Sequence, residues 1–358
     1  MTDKLFTPVR LGALDLPNRL VMAPLTRLRA GDRGVPNDLM AEYYRQRAAM
    51  GLIVTEGTWP VLAGRTWLGQ PGIETPEQVR GWARIAAAVH AAGGRIAMQV
   101  MHGGRVSHPD VTGTGRIVSA SATAAPGPAR IPTGKTAAPT AHELTAAEIP
   151  MVIDQFVAGA RRALDAGMDA VELHGANGYL IHQFCSPAAN LRTDDWGGTP
   201  AKRARFAIEV TRAVAEAVGA ERTGIRISPG HLVQGMDETD QQATRETYTT
   251  WAQAIAPLGL AFIDILHQAP DSSLVQEIRR LSGAPLIVNT GFAVPTTRAE
   301  ARRILDGNLA DAVGVGRAVI ANPDLVARWR ADRPENPADQ GTFYTGGASG
   351  YIDYPVLD

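Results

Sequence analysis

The sequence contains a single cysteine, Cys185, among 358 residues. That excludes a disulfide framework, a cysteine-ligated zinc site and an iron–sulfur centre. It has no run of about 18 uncharged apolar residues, so no segment is expected to cross a bilayer. It lacks an excess charge of either sign: 35 Lys and Arg against 36 Asp and Glu leave a net −1. Such a balance provides no basic field for nucleic acid or for an anionic membrane surface. The first residues, Met1 to Leu11, are polar and interrupted by Pro8, unlike a secretory signal. The expectation is a cytoplasmic protein with no nucleic-acid or membrane partner. What is present is 45% hydrophobic and 20% charged residues, the composition of a globular chain with a substantial core.

Short apolar runs alternate with longer amphipathic ones. Eight runs read as strands, at residues 20–25, 52–58, 95–102, 170–174, 223–229, 261–267, 285–291 and 311–317. Each is nearly continuous in apolar residues, as expected of a parallel strand covered on both faces. Helical patterns separate them at 38–50, from Thr75-Pro76-Glu77 onward, and at 145–166, 201–218, 244–258, 273–281, 296–306 and 323–331. Asp38 is a candidate cap, Pro76 suits a first helical position, and Thr145 with Glu148 has the spacing of a capping box. Eight strands alternating with eight helices predict a (β/α)8 barrel, an α/β TIM barrel, over an open doubly wound sheet. Residues 1–19 predict a hairpin closing the barrel bottom. Residues 103–144, rich in Pro, Gly, Ala, Ser and Thr, have no helical period; a long insertion after strand 3 predicts a lid on the C-terminal face.

Polar residues crowd the C-terminal strand ends, where this architecture places its chemistry. His174, Asn177 and Tyr179 form the densest group. At a spacing of three in a helical turn, His174 and Asn177 would project to one side and offer two N–H donors to an oxyanion. Tyr179 would supply a proton. The alternative is that His174 ends a strand and Tyr179 packs in the core. Arg226 lies inside an apolar strand and needs either an internal carboxylate or an anionic ligand. Gly314-Val-Gly316-Arg317 ends strand 8 and suits a mononucleotide phosphate, because Val319 stands where a dinucleotide fingerprint needs glycine. Thr26 and Gln99 read as satisfied structural groups or as hydrogen-bonding ligands. The remaining histidines show no metal spacing, so no metal is expected, and Cys185 reads as a small buried apolar residue.

With these residues identified, the chain resembles the old yellow enzyme family of FMN-dependent ene-reductases from end to end. The resemblance runs through Pro17-Asn-Arg-Leu-Val-Met-Ala-Pro-Leu-Thr-Arg27, Thr55-Glu-Gly-Thr58 and Val171-Glu-Leu-His-Gly-Ala-Asn-Gly-Tyr-Leu-Ile-His-Gln-Phe184. It continues through Gly316-Arg317, Phe343-Tyr-Thr-Gly-Gly-Ala-Ser-Gly-Tyr351 and Asp353-Tyr-Pro355. It implies one FMN-binding barrel domain over 1–358, with the tail 333–358 contributing to the pocket. It implies tightly bound, non-covalent FMN, with NADPH or NADH as hydride donor and a small activated alkene as substrate, in a monomer or homodimer. By resemblance, Ala23, Pro24, Leu25, Thr26, Gly57, Gln99 and Arg226 would contact the flavin ring, and Gly291, Gly316 and Arg317 its phosphate. His174 and Asn177 would grip the substrate carbonyl, Tyr179 would protonate it, and Trp67, Met101, Gln234 and Tyr351 would line its pocket. Met101 stands where many relatives have a bulkier residue. Thr290-Gly291-Phe292 replaces a more usual glycine or alanine pair, and Ala318-Val319 replaces a frequent Pro-Phe.

Two other functions fit a barrel of this length. A flavin-free metal-dependent lyase or aldolase would need clustered carboxylate and histidine ligands or a strand-end lysine, and the eight strand ends carry no lysine. A non-catalytic flavin carrier would share Gly316 and Arg317 but has no use for His174, Asn177 and Tyr179.

Overall fold

A computed structural model describes residues 3–291 and 294–357 of the chain. Phe292, one of the departures noted above, lies outside the described residues. Eight parallel strands close into a barrel. We label them β1 (Leu20–Met22), β2 (Leu52–Val54), β3 (Ile96–Val100), β4 (Ala170–Gly175), β5 (Thr223–Ile227), β6 (Phe262–Leu266), β7 (Leu286–Asn289) and β8 (Ala312–Val315). The outer helices include α1 (Asp38–Gln46), α2 (Pro76–Ala91), α3 (Ile149–Asp165), α4 (Pro200–Val218), α5 (Gln241–Ile255), α6 (Ser273–Ser282), α7 (Arg298–Asp306) and α8 (Leu325–Arg330). The predicted (β/α)8 barrel is the observed fold.

Local chemistry starts these helices. Asn37, Thr75, Thr199, Asp240, Ser272 and Thr297 each accept the backbone N–H three residues into the helix they cap. The cap of α1 is therefore Asn37, not the expected Asp38: Asn37 still has extended backbone angles, as a cap requires. Thr145 and Glu148 do form the reciprocal pair ahead of α3, at 2.9 and 3.3 Å. The insertion at 103–144 holds a short helix, Pro109–Thr112, and a hairpin of Pro128–Ile131 with Gly134–Ala137.

Alternation along each strand divides the barrel interior into levels. The lowest is apolar: Val21, Val54, Ala97, Ala170, Phe262 and Ile287 pack with Leu11, Leu14 and Leu16. Those leucines come from the antiparallel hairpin Val9–Leu11 and Leu14–Leu16, which plugs the bottom as expected. Burying a leucine side chain contributes about 1.5–3 kcal/mol, so the plug both seals and stabilises the barrel. The next level is polar and consists of Gln99, Glu172, Arg226, Asp264 and Asn289, all buried. Above it lies the cavity.

The hairpin can approach so closely because Gly12 forms its turn. Its φ is +57°, and a Cβ there would lie 2.3 Å from the Glu221 carbonyl oxygen and 2.7 Å from Ala261 Cα. Both obstacles are backbone and neither can swing aside. Gly12→Ala is expected to lower stability by about 1–3 kcal/mol, read as a lower denaturation midpoint. An unchanged midpoint would show that the plug does not brace the barrel.

Candidate active site

A cavity of about 440 Å³ opens at the C-terminal end of the barrel, within the range of small-molecule and cofactor sites. On one side the chain beyond β1 supplies Ala23, Pro24, Leu25 and Thr26. Beneath lie Gln99 of β3, Arg226 of β5 and Asn289 of β7; Gly291, Gly316 and the exposed Arg317 surround one end. The rest of the wall includes His174, Asn177, Tyr179, Trp67, Met101 and Gln234. These expected residues, distant in sequence, share one space.

Two expected residues lie elsewhere. Tyr351 is not on the cavity wall: it is fully buried, stacked on Tyr43 with ring centroids 4.1 Å apart. The tail reaches the cavity through Phe343 and Tyr344 instead. The reason is a buried arginine pair. Arg27 Nε donates to the Phe343 carbonyl at 2.9 Å, and Arg27 Nη2 to that of Gly350 at 2.8 Å. Arg29 donates to the carbonyls of Thr342, Phe343 and Thr345. The Arg27 guanidinium lies 4.9 Å from the Tyr351 ring and 5.1 Å from that of Tyr43, so Tyr351 is a cation–π floor that anchors the tail. Gly57 is also absent from the wall. It lies behind Met101 and Gln99, and a Cβ there would meet the Met101 sulfur at 2.5 Å.

His174 and Asn177 meet by a different geometry from the helical turn expected. His174 ends the inward row of β4, and the chain then turns sharply, with Asn177 at φ +57° and Gly178 at +78°. A non-glycine residue in the left-handed region is held there at a cost. Asn177 N–H donates to Ser228 Oγ at 2.9 Å, and Gln234 Nε2 donates to the Asn177 carbonyl at 2.9 Å. The Gly178 peptide is gripped from both sides by the short helix Leu180–Cys185. Its N–H donates to His182 Nδ1 at 3.0 Å, and its carbonyl accepts from Gln183 Nε2 at 2.8 Å. With Nδ1 accepting, the His182 proton sits on Nε2, which faces Glu238 Oε1 at 3.2 Å. Glu238 also accepts from the Gly230 N–H at 2.7 Å and from the Tyr248 hydroxyl at 3.1 Å. His182, one of the histidines without metal spacing, is thus the buried link between the 176–179 turn and the loop after β5. Nothing local in the sequence marked Glu238 as its partner.

The electrostatics favour neutral donors. Burial, and then Arg226, hold the His174 imidazole well below its ordinary value, so it donates an N–H without carrying charge. Burial pushes the Tyr179 phenol up, against the opposing Trp67 and Gln234 side chains, so it keeps its proton. The His174 and Tyr179 rings lie 4.9 Å apart. Arg226 finds the internal carboxylate considered for it: one nitrogen bonds Asp264, a second reaches the uncharged Asn289 Oδ1 at 3.3 Å, and Nε remains unpartnered among the described residues. His174 Nδ1 and Asn177 Oδ1 are likewise buried without a partner among them. A buried polar atom left so costs about 1–3 kcal/mol, and a polar planar ligand in the cavity relieves that cost. No group of residues suited to a metal ion occurs among the described residues, and no helix among them is long and apolar enough to cross a membrane.

Comparison with known proteins agrees with this fold. The profile of the NADH:flavin oxidoreductase / NADH oxidase family matches residues 4–336. A probable flavin mononucleotide-dependent alkene reductase of Leishmania infantum is 39% identical over 99% of this chain and 98% of its own length. Among solved structures, the old yellow enzyme homologue of Zymomonas mobilis superposes with a TM-score of 0.93 at 39% identity, covering 99% of both chains. Morphinone reductase in complex with tetrahydroNAD superposes at 0.92 with 40% identity, over 99% of this chain and 98% of the other.

Because Glu238 is where three donors converge, Glu238→Gln should loosen the turn rather than the barrel. Amide exchange at Gly178 and Gly230 is expected to quicken about tenfold or more, with stability lower by about 1–3 kcal/mol. Unaltered exchange at both glycines would remove Glu238 from this role.

Proposed function

The chain belongs to the NADH:flavin oxidoreductase / NADH oxidase family, that of the old yellow enzymes, and on that premise we propose how its cavity works. It is an FMN-dependent ene-reductase supplied with hydride by NAD(P)H, which sets aside the flavin-free lyase and the non-catalytic carrier. Bound FMN supplies a two-electron carrier that takes hydride from the nicotinamide and passes it to the alkene.

The observation that carries the residue assignment is the set of unpartnered buried polar atoms on the cavity wall: Arg226 Nε, His174 Nδ1 and Asn177 Oδ1. Arg226 Nε and His174 Nδ1 suit a flat ligand with a polar edge on one side and a substrate oxygen on the other, and Asn177, whose Oδ1 only accepts, would meet that oxygen through its Nδ2. Ala23, Pro24, Leu25, Thr26, Gln99 and Arg226 would hold the flavin ring, with Gly57 backing Gln99 and Met101 from behind. The glycine backbone at Gly291 and Gly316, with the exposed cation of Arg317, would take the phosphate.

His174 and Asn177 then bind the oxygen of an α,β-unsaturated carbonyl or nitro compound and hold the negative charge that grows on it as the β-carbon gains hydride. A neutral His174 suits this work, because its donor strength does not depend on being protonated near pH 7. Tyr179 gives its proton to the α-carbon. Trp67 and Gln234, which bear on the Tyr179 oxygen, orient the phenol, and Met101, Phe343 and Tyr344 bound the substrate space. The reading includes a cytoplasmic monomer or homodimer using NADPH or NADH, with no nucleic-acid or membrane partner; the net charge of −1 supports the last point.

Separating the two half-reactions by stopped flow tests the assignment. Tyr179→Phe should slow reoxidation by an enone far more than reduction by NAD(P)H, whereas equal losses would remove Tyr179 as proton donor. His174→Ala or Asn177→Ala should each lower the reoxidation rate by roughly 10²–10³, and a loss below about threefold in either would remove that residue from the oxyanion grip.

A further inference from the structure

The polar level beneath the cavity holds two carboxylates and one cation. Glu172 of β4, Asp264 of β6 and Arg226 of β5 are all buried, at 0, 1 and 3% exposure. Asp264 is bonded by the guanidinium. Glu172 receives only an uncharged donor, Gln99 Nε2, at 2.8 Å. The remaining oxygens, Glu172 Oε2 and Asp264 Oδ1, have no N–H or O–H donor among the described residues, yet the two carboxyl groups are in hydrogen-bonding contact with each other. Contact between two carboxyl oxygens requires a proton between them. No water-filled route rises from below, because the level underneath is the apolar plug.

We propose that Glu172 is held as a neutral acid sharing its proton with Asp264, and that this proton links the redox state of the flavin to pH. The linkage rests on the reading above, in which the flavin ring lies over Gln99 and Arg226. Asp264 already offsets the Arg226 charge, so the trio is neutral only while Glu172 keeps its proton. Two-electron reduction adds negative charge to the ring, and an ionised Glu172 would repel it. The reduced protein therefore binds the proton more tightly than the oxidised one.

The surroundings decide which carboxyl carries the proton. β3 offers Glu172 only uncharged Gln99, and β7 only uncharged Asn289; His174, one level up on β4, is neutral. Asp264 and Arg226 are the charged neighbours. Burial, and then the Asp264 charge, push Glu172 up to about 8. Burial also raises Asp264, but its bond to Arg226 opposes the shift, so the proton belongs to Glu172. Below about pH 8 Glu172 is protonated in both redox states, and reduction takes up two electrons and one proton, the latter on the flavin itself. Above it, Glu172 is ionised in the oxidised protein and reduction takes up a second proton there.

Potentiometric titration of the holoenzyme between about pH 6 and 10 reads this directly. The slope of midpoint potential against pH should double above about pH 8, from one proton per two electrons to two. Glu172→Gln keeps the acid's shape and both of its bonds, accepting from Gln99 and donating to Asp264, so it should fold and show the single slope throughout. Infrared spectra supply a readout that needs no flavin: a protonated-carboxyl C=O stretch near pH 7 that Glu172→Gln abolishes. Absence of that band from the parent protein, or of the break from its titration, overturns the proposal. A protein that shows the band but binds no FMN instead sinks the cavity reading and the redox linkage with it, leaving the shared proton standing.

Discussion

Closure of the parallel sheet is the constraint from which the rest follows. In a closed barrel every second residue of each strand points into a space it cannot leave, so the interior sorts by level instead of by face. Here the hairpin leucines fill the lowest level with Phe262 and Ile287, which frees the level above from having to form the apolar core. That level can then hold Gln99, Glu172, Arg226, Asp264 and Asn289, all excluded from water. A charged group there has partners only from other strands of the barrel. Arg226 bonds Asp264, its register partner on β6, and Gln99 bonds Glu172, its partner on β4.

Above the polar level, precision comes from buried side chains that hold loop backbone. Glu56 Oε2 accepts the N–H groups of Arg27 and Leu28, both at 3.0 Å, fixing the chain just beyond the cavity-lining residues 23–26. Arg27 and Arg29 hold the tail by its carbonyls. Gln183 grips Gly178 and also accepts from the Arg105 N–H and the Ser119 hydroxyl in the insertion. The same six-residue helix thus ties the insertion, through Gln183, and the loop after β5, through His182, to one peptide of the 176–179 turn. Left-handed Asn177 is sustained by that convergence and not by its own preference.

The electrostatic character is consistent from floor to wall. Arg226 and Asp264 neutralise one another in the floor, the exposed cation of Arg317 lies at one end, and His174 and Tyr179 on the wall keep their protons or stay uncharged through burial. Fixed neutral dipoles in a dry cavity stabilise charge that arises only during reaction, since they need no reorganisation when it appears. That division of labour suits the anionic cofactor and the developing oxyanion proposed for this cavity, in a chain with a net charge of −1.

The eightfold strand–helix alternation, the Thr145–Glu148 capping pair and the bottom hairpin were legible in the sequence, because each is a matter of local backbone preference and local hydrophobic period. It also placed His174, Asn177, Tyr179, Arg226 and Arg317 at strand ends, since a polar residue interrupting an apolar run is visible in one dimension. Asn37 rather than Asp38 as a cap differs by a single residue, within the reach of local dihedrals alone. Long-range packing set three other features: Tyr344 and not Tyr351 reaches the cavity, His182 meets Glu238, and Glu172 lies against Asp264. In each case the partners lie far apart along the chain or on strands whose pairing depends on register and tilt. Those are properties of the closed sheet, and no short stretch of sequence encodes them.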